Sequence, residues 1–308
     1  MSLARRLLLR ASRSAWLARE LRRRAFFRRA VRRFMPGEDR AAALDAAAAF
    51  APEGLGSVLT QLGEQVTSRS DAAAVRDHYL ETLDSIRARR LPSELSVKLT
   101  HLGVEQDRAA CQRDVLALAS RAQETGSFLW VDMEESRYVD VTLDLVRGVR
   151  ATGVPLGVCL QAYLRRTPAD LEALVARRIA IRLVKGAYNE PAEVALPRKR
   201  DVDAAYLTLA ERLLEHAARD GGARAVFGTH DLGLVEAIRE RAGTLGAAAG
   251  GWEVHMLYGI RAAAQRALAR DGCRVRVLIS YGSAWFPWYM RRLAERPANV
   301  WFVLRNLV

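Results

Sequence analysis

Histidine and cysteine are the scarce residues of this 308-residue chain, with five and three copies. Cys111, Cys159 and Cys273 are far apart and odd in number, which argues against a disulfide framework and fits a reducing compartment. The histidines are scattered and form no Cys/His cluster, so no metal is expected. Half of the residues are hydrophobic, yet no run approaches the roughly 18 uninterrupted apolar residues of a membrane span. Phosphate-binding loops are also missing. No GxGxxG follows a strand pattern, Gly54-Leu55-Gly56 lacks a third glycine, and there is no P-loop, GxSxG elbow or HExxH helix.

What is present is distributed unevenly. The net charge of +13 comes almost entirely from residues 1–36, where twelve arginines face one acid, Glu20. The remaining chain is close to neutral and long enough for one large domain with an ample core. The basic arm interleaves Leu, Trp and Phe with arginine. That pattern suits packing on the main domain or self-association into a homo-oligomer first, and contact with an anionic membrane second. It resembles an organelle presequence in composition, and no reader motif accompanies it that would point to nucleic acid. Met35-Pro36-Gly37 ends the arm and sets the division into 1–36 and 37–308.

Beyond the arm, an Ala-rich helix is predicted over Asp39–Phe50, followed by a weak apolar run at Leu55–Leu62. Seven further apolar runs follow at Leu95–Thr100, Phe128–Met133, Leu156–Leu160, Ile179–Val184, Ala223–Thr229, Glu253–Leu257 and Val275–Ile279. Helical patterns separate most of them, at Asp71–Arg90, Asp107–Thr125, Ser136–Thr152, Pro168–Arg177, Ala204–Ala218 and Leu232–Ala242. Eight strand–helix units are the arithmetic of an α/β protein built as a (β/α)8 barrel, TIM-like, with an N-terminal helical extension. Periodicity alone leaves a doubly wound open sheet as the alternative.

Barrel sites form at the C-terminal ends of strands. Those ends carry Lys98, Asp132, Gln161, Arg182, Lys185, the run Thr229-His230-Asp231, and His255. Each has an ordinary reading alone, such as a helix cap for an aspartate or a core position for a histidine. Lys185-Gly186-Ala187 offers a cation beside small residues that admit close backbone approach to a cofactor. Later, in YGSAWFPWYMRRLAE, Arg291 and Arg292 stand side by side, with Glu295 one helical turn on from Arg292. Paired guanidinium forks match a carboxylate or a phosphate, although a solvated helix face is the bland reading.

The strings SVKLT, VDMEES, RLVKGAY, FGTHD, MLYG and YMRRLAER, in this order, resemble the proline dehydrogenase family, in its monofunctional bacterial branch, from about Arg33 to the C-terminus. The resemblance implies a distorted (β/α)8 barrel holding FAD non-covalently. The implied reaction oxidises L-proline to Δ1-pyrroline-5-carboxylate by hydride transfer from ring C5 to flavin N5, the first step of proline degradation. Carried over by motif, Arg291, Arg292 and Lys98 would bind the substrate carboxylate, and Glu295 would lie near the ring nitrogen. Asp132 would hold the arginine and flavin geometry and assist proton handling, and Arg182 would stand beside flavin N5. Met133, Gln161, Lys185, Gly186, Ala187, Thr229 and His230 would line the flavin. Tyr188 and Leu183 would close over the substrate ring, with Leu257 as a packing residue. The implied partners are a membrane quinone as electron acceptor and pyrroline-5-carboxylate dehydrogenase downstream. The implied location is the bacterial cytoplasm, peripheral at the inner membrane.

The chain departs from the family pattern at Leu278, where a tyrosine is usual, and this opens the alternative of hydroxyproline or another cyclic imino acid as substrate. His255 stands in place of a glutamine, Ser280 in place of a proline and Asp231 in place of an asparagine. Two other readings compete. One is a barrel aldolase with Lys98 or Lys185 as Schiff-base amine; the other is a non-enzymatic scaffold for the basic arm.

Overall fold

The structure, a computed structural model, describes residues 31–63, 65–219, 222–247, 250–286 and 289. Its frame is a closed barrel of eight strands in sequential order, all parallel: β1 Gly56–Gln61, β2 Ser93–Val97, β3 Leu129–Val131, β4 Gly157–Gln161, β5 Ala180–Val184, β6 Ala225–Gly228, β7 Trp252–Leu257 and β8 Arg274–Tyr281. Closure is made by β8 against β1, with Val58 opposite Leu278 and Gln61 opposite Tyr281. The open sheet is thereby excluded.

Eight α-helices accompany the strands among the described residues: α1 Arg40–Phe50, α2 Arg69–Ala88, α3 Arg108–Glu124, α4 Val139–Ala151, α5 Thr167–Val175, α6 Lys199–Ala217, α7 Leu232–Thr244 and α8 Ala262–Arg270. Side-chain caps fix three starts. Asp39 accepts from the Ala42 amide at 2.7 Å, Asp107 from Ala110 at 2.9 Å and Ser68 from Asp71 at 3.1 Å. Asp39 and Asp107 therefore precede their helices instead of opening them. Two helical stretches differ from the periodicity reading. Helix α6 starts at Lys199 because the charged turn Lys199–Asp203 pairs within itself and with Lys185. Helix α8, nine residues rich in Ala and Arg with Gln265 and Leu268 buried, is too short to stand out as a period.

The strand wall separates two cores because neighbouring residues on a strand face opposite ways. Leu59, Val97, Val131, Leu160, Leu183, Phe227 and Ile279 pack outward against the helices. Val58, Trp130, Ala180 and Val226 cluster inside the barrel, with Phe128 and Leu278 against them. Each buried aliphatic chain contributes about 1.5–3 kcal/mol relative to exposure. Leu183 thus lies on the helix side of β5, fully buried, and its carbonyl accepts from the Tyr206 hydroxyl. It cannot close over a substrate in the barrel, which corrects the motif expectation.

The N-terminal end of the barrel is filled by charge. Arg224 donates to Glu94 at 2.8 Å and to Glu253 at 2.7 and 2.8 Å, while Arg276 reaches Glu94 at 3.1 Å and Glu253 at 3.0 Å. Burial pulls the Glu253 carboxyl up, but His255, Arg224 and Arg276 hold it far below the usual carboxylate range. This network closes the floor and leaves the C-terminal end as the place for a site.

Residues 31–38 pack on that same end. Val31 and Met35 are buried, Phe34 meets Tyr289 at 6.0 Å, and the Trp285 indole donates to Glu38 at 2.6 Å. Gly259 is obligatory here: its φ is +72°, and a Cβ would lie 1.6 Å from the Arg33 carbonyl oxygen. Residues 1–30, with most of the basic arm, lie outside the described residues.

Candidate active site

Three expected residues converge at the mouth. Lys98 follows β2, Asp132 follows β3 and Arg182 sits on β5, all directed inward by strand alternation. Lys98 Nζ lies 3.1 Å from Asp132 Oδ2, and Arg182 Nη2 pairs with Asp132 Oδ1. Ser96 Oγ donates to Asp132 Oδ1 at 2.7 Å and accepts from Arg182 Nη2 at 2.7 Å. Arg182 Nε meets Cys159 Sγ at 2.8 Å. Burial works against the Asp132 charge, yet Lys98 and Arg182 keep its carboxyl below the usual range. Asp132 is therefore a carboxylate at neutral pH, sharing its charge between two cations.

Arg182 is 3% exposed, and its Nη1 has no hydrogen-bond partner among the described residues. A buried guanidinium nitrogen left unsatisfied by the described residues is a place for a ligand acceptor. The cluster of two cations and one carboxylate also carries a surplus positive charge, which suits an anionic ligand.

The other expected residues ring this centre. Gln161, at the end of β4, donates to the Glu134 carbonyl at 2.9 Å, and Met133 is buried beside it in the β3–α4 connection. Thr229 Oγ1 accepts from the Asp231 amide at 3.1 Å. His230 Nε2 accepts from the Leu257 amide at 2.8 Å, which puts the proton of a neutral ring on Nδ1 and ties the ends of β6 and β7 together. Leu257 and Leu278 are neighbours across the β7–β8 pairing, both half-buried. Tyr188 is half-buried and Ala187 exposed in the loop after β5. Gly186 has a φ of +115°, and a Cβ there would stand 2.2 Å from the Tyr163 ring, so the loop lies flush against that ring.

Lys185 lies in the loop after β5, its ammonium bound to Asp203 at 2.6 Å and Asp231 at 3.2 Å. His255, expected among the strand-end groups, lies deeper, buried against the Trp130 ring. Arg291, Arg292 and Glu295 lie outside the described residues. Sequence reasoning missed Ser96, Cys159 and Trp130. All three were accessible from alternation, since each stands two residues before a residue already singled out: Lys98, Gln161 and Asp132.

An α/β barrel with a buried arginine, a carboxylate and a lysine gathered at the C-terminal ends of its strands defines an enzyme-like site of the TIM-barrel type. A family model described as "Proline dehydrogenase" matches residues 43–305. The chain is 34% identical to Proline dehydrogenase 1 of Bacillus subtilis (strain 168) over 278 residues, 90% of each chain. It is 34% identical over 281 residues to the Proline dehydrogenase of Deinococcus radiodurans, covering 90% of this chain and 89% of that one. Among solved structures, proline utilization A (PutA) from Bdellovibrio bacteriovorus inactivated by N-propargylglycine superposes with a TM-score of 0.80 at 22% identity. That match covers 87% of this chain and 32% of the larger protein, and it speaks for the fold alone. The chain belongs to the proline dehydrogenase family.

Proposed function

We propose that this chain oxidises L-proline to Δ1-pyrroline-5-carboxylate with non-covalently held FAD, as the first step of proline catabolism. The observation that carries the reading is the Lys98–Asp132–Arg182 cluster at the strand ends, where Arg182 Nη1 has no partner among the described residues. A bound flavin would supply the acceptor for the hydride lost from the proline ring. The residues present fit such a group: Arg182 offers a buried Nη1 with no acceptor among the described residues, Gly186 keeps the β5 loop flush, and Met133, Gln161, Ala187, Thr229 and His230 line the surrounding strand ends.

Lys98, joined by Arg291 and Arg292, binds the substrate carboxylate, and Glu295 lies near the ring nitrogen. Tyr188, Leu257 and Leu278 bound the ring. Hydride loss requires the neutral amine, so a proton leaves the ring nitrogen first or together with it. Asp132, stabilised as a carboxylate by two cations, is a weak base; its work is to hold Lys98 and Arg182 in place. Lys185 lines the flavin with Gly186 and Ala187, its ammonium held by Asp203 and Asp231.

The decisive experiment is anaerobic addition of proline to the FAD-loaded protein. Loss of the visible flavin absorbance, with formation of the cyclic imine, is expected. A protein that takes up no FAD and leaves proline unchanged overturns the reading. The aldolase alternative is weakened because Lys98 and Lys185 are both ion-paired, whereas a Schiff-base lysine must shed its proton and counter-ion to attack a carbonyl.

Leu278 favours a second substrate reading. Leucine keeps apolar contact but removes an aromatic wall, which admits 4-hydroxyproline. A hydroxyproline rate of zero, with a proline KM unaffected by Leu278→Tyr, removes that idea.

Electrons pass onward to a membrane quinone, and the product to pyrroline-5-carboxylate dehydrogenase. The chain divides into a 1–36 arm, which serves packing or self-association first and contact with the anionic inner membrane from the cytoplasmic side second, and a 37–308 catalytic domain. No helix among the described residues is long and apolar enough to cross a membrane. Equal sedimentation with anionic vesicles with and without residues 1–36 removes the arm from that role, and light scattering reads its part in a homo-oligomer.

A further inference from the structure

Trp130 is fully buried on the inner face of β3, between the mouth of the barrel and the charged floor. The Arg182 guanidinium carbon stands 5.2 Å from the centre of its ring, and the Arg224 guanidinium carbon also stands at 5.2 Å. Arg182 belongs to the mouth, through Asp132 and Ser96; Arg224 belongs to the floor, through Glu94 and Glu253. One indole therefore bridges the redox-site cation and the ion-pair network beneath it.

The ring itself is held from two directions. Its Nε1–H donates to Glu94 Oε2 at 2.7 Å, and the His255 ring meets it edge-on at 5.7 Å and 80°. Among the described residues Arg182 is anchored by polar partners at Nε and Nη2, along one edge of the guanidinium fork. Those bonds lie in the guanidinium plane, and the Trp130 ring supplies a contact over that plane.

We infer that Trp130 is a positioning residue for the redox step, setting the height and tilt at which Arg182 presents Nη1. The inference rests on the flavin-dependent reading above. A cation stabilises charge developing on a reduced ring only when held at the right place before the reaction. A desolvated cation–π contact is strong enough to change such an alignment equilibrium by about 5–30-fold.

The test uses Trp130→Phe and Trp130→Leu in the full FAD-loaded chain. Phenylalanine keeps a ring face and loses the N–H; leucine loses both. With leucine, the rate of flavin reduction by proline falls about 5–30-fold, the proline KM stays within about twofold, and the flavin midpoint potential becomes more negative. Phenylalanine restores most of the rate and the potential. A purely structural Trp130 predicts instead that both variants lose thermal stability while the potential stays unchanged, and that result overturns the inference. In the ligand-free chain, unfolding of Trp130→Leu, Arg182→Met and the double variant forms a cycle that is expected to be non-additive; strict additivity overturns the stack without any flavin present. If the unaltered chain takes up no flavin, the proposed function fails and this inference falls with it. An unchanged potential in flavin-loaded, proline-reducing variants removes the positioning role alone.

Discussion

Replacing Asp132 by asparagine keeps the shape of the side chain and removes its charge. Lys98 Nζ sits 3.1 Å from Asp132 Oδ2 and Arg182 pairs with Oδ1, with side-chain exposures of 21%, 17% and 3% for Lys98, Asp132 and Arg182. At that distance and an effective dielectric of about 20, the Lys98 contact alone has a gross attraction of about 5 kcal/mol. Desolvation offsets much of it, and removing one partner of a buried pair costs about 3–5 kcal/mol. The partial exposure of Lys98 and Asp132 sets the expected loss at the lower end, about 3 kcal/mol. Denaturant unfolding should show that loss as a lower midpoint with an unchanged slope. Turnover should fall about 100-fold as Arg182 loses its anchor, while carboxylate binding holds or tightens because the two cations are left uncompensated. The native pKa of Asp132 is depressed, so its stabilisation is full above about pH 4 and disappears as pH falls through the lowered native value. The variant should lack that acid limb. An asparagine variant with normal stability, normal acid sensitivity and normal turnover would refute the energetic coupling of the cluster.

His255 gives a prediction of opposite chemistry. Burial drives it down to about 4 against the pull of Glu253, so between there and about 6.5 the unfolded chain binds a proton that the folded chain refuses. Stability rises with pH across that window by at most about 3 kcal/mol, and His255→Gln should flatten this rise in pH-dependent unfolding. Gly186→Ala forces a Cβ into the Tyr163 ring at a φ of +115°; a loss of about 1–3 kcal/mol in stability and weaker FAD uptake by titration are expected. Lys98→Met should raise the proline KM about 10–100-fold with a smaller change in kcat, since it removes a charge-assisted contact made before the reaction as well as during it. Equal proline saturation in both proteins contradicts the assignment.

Much of the architecture was legible along the chain. Eight apolar runs marked the eight strands, because a strand buried on both sides must be hydrophobic whatever its neighbours are. The chemistry-bearing residues were equally visible in SVKLT, VDMEES and RLVKGAY, as polar groups ending apolar runs. Helix α8 was not, since its nine residues are shorter than the window over which a helical period stands out.

Closure, inward direction and pairing were decided by the tertiary structure. Closure of β8 on β1 gives the sheet an interior, the pairing of β5 with β4 and β6 sets Leu183 toward the helices and Arg182 toward Asp132, and only the packed loops bring Asp203 and Asp231 onto Lys185. A sequence states which side chains carry charge, because that is a property of each residue. Which charges are compensated depends on distances of a few ångströms between strands far apart in the chain, and those distances exist only once the barrel has closed.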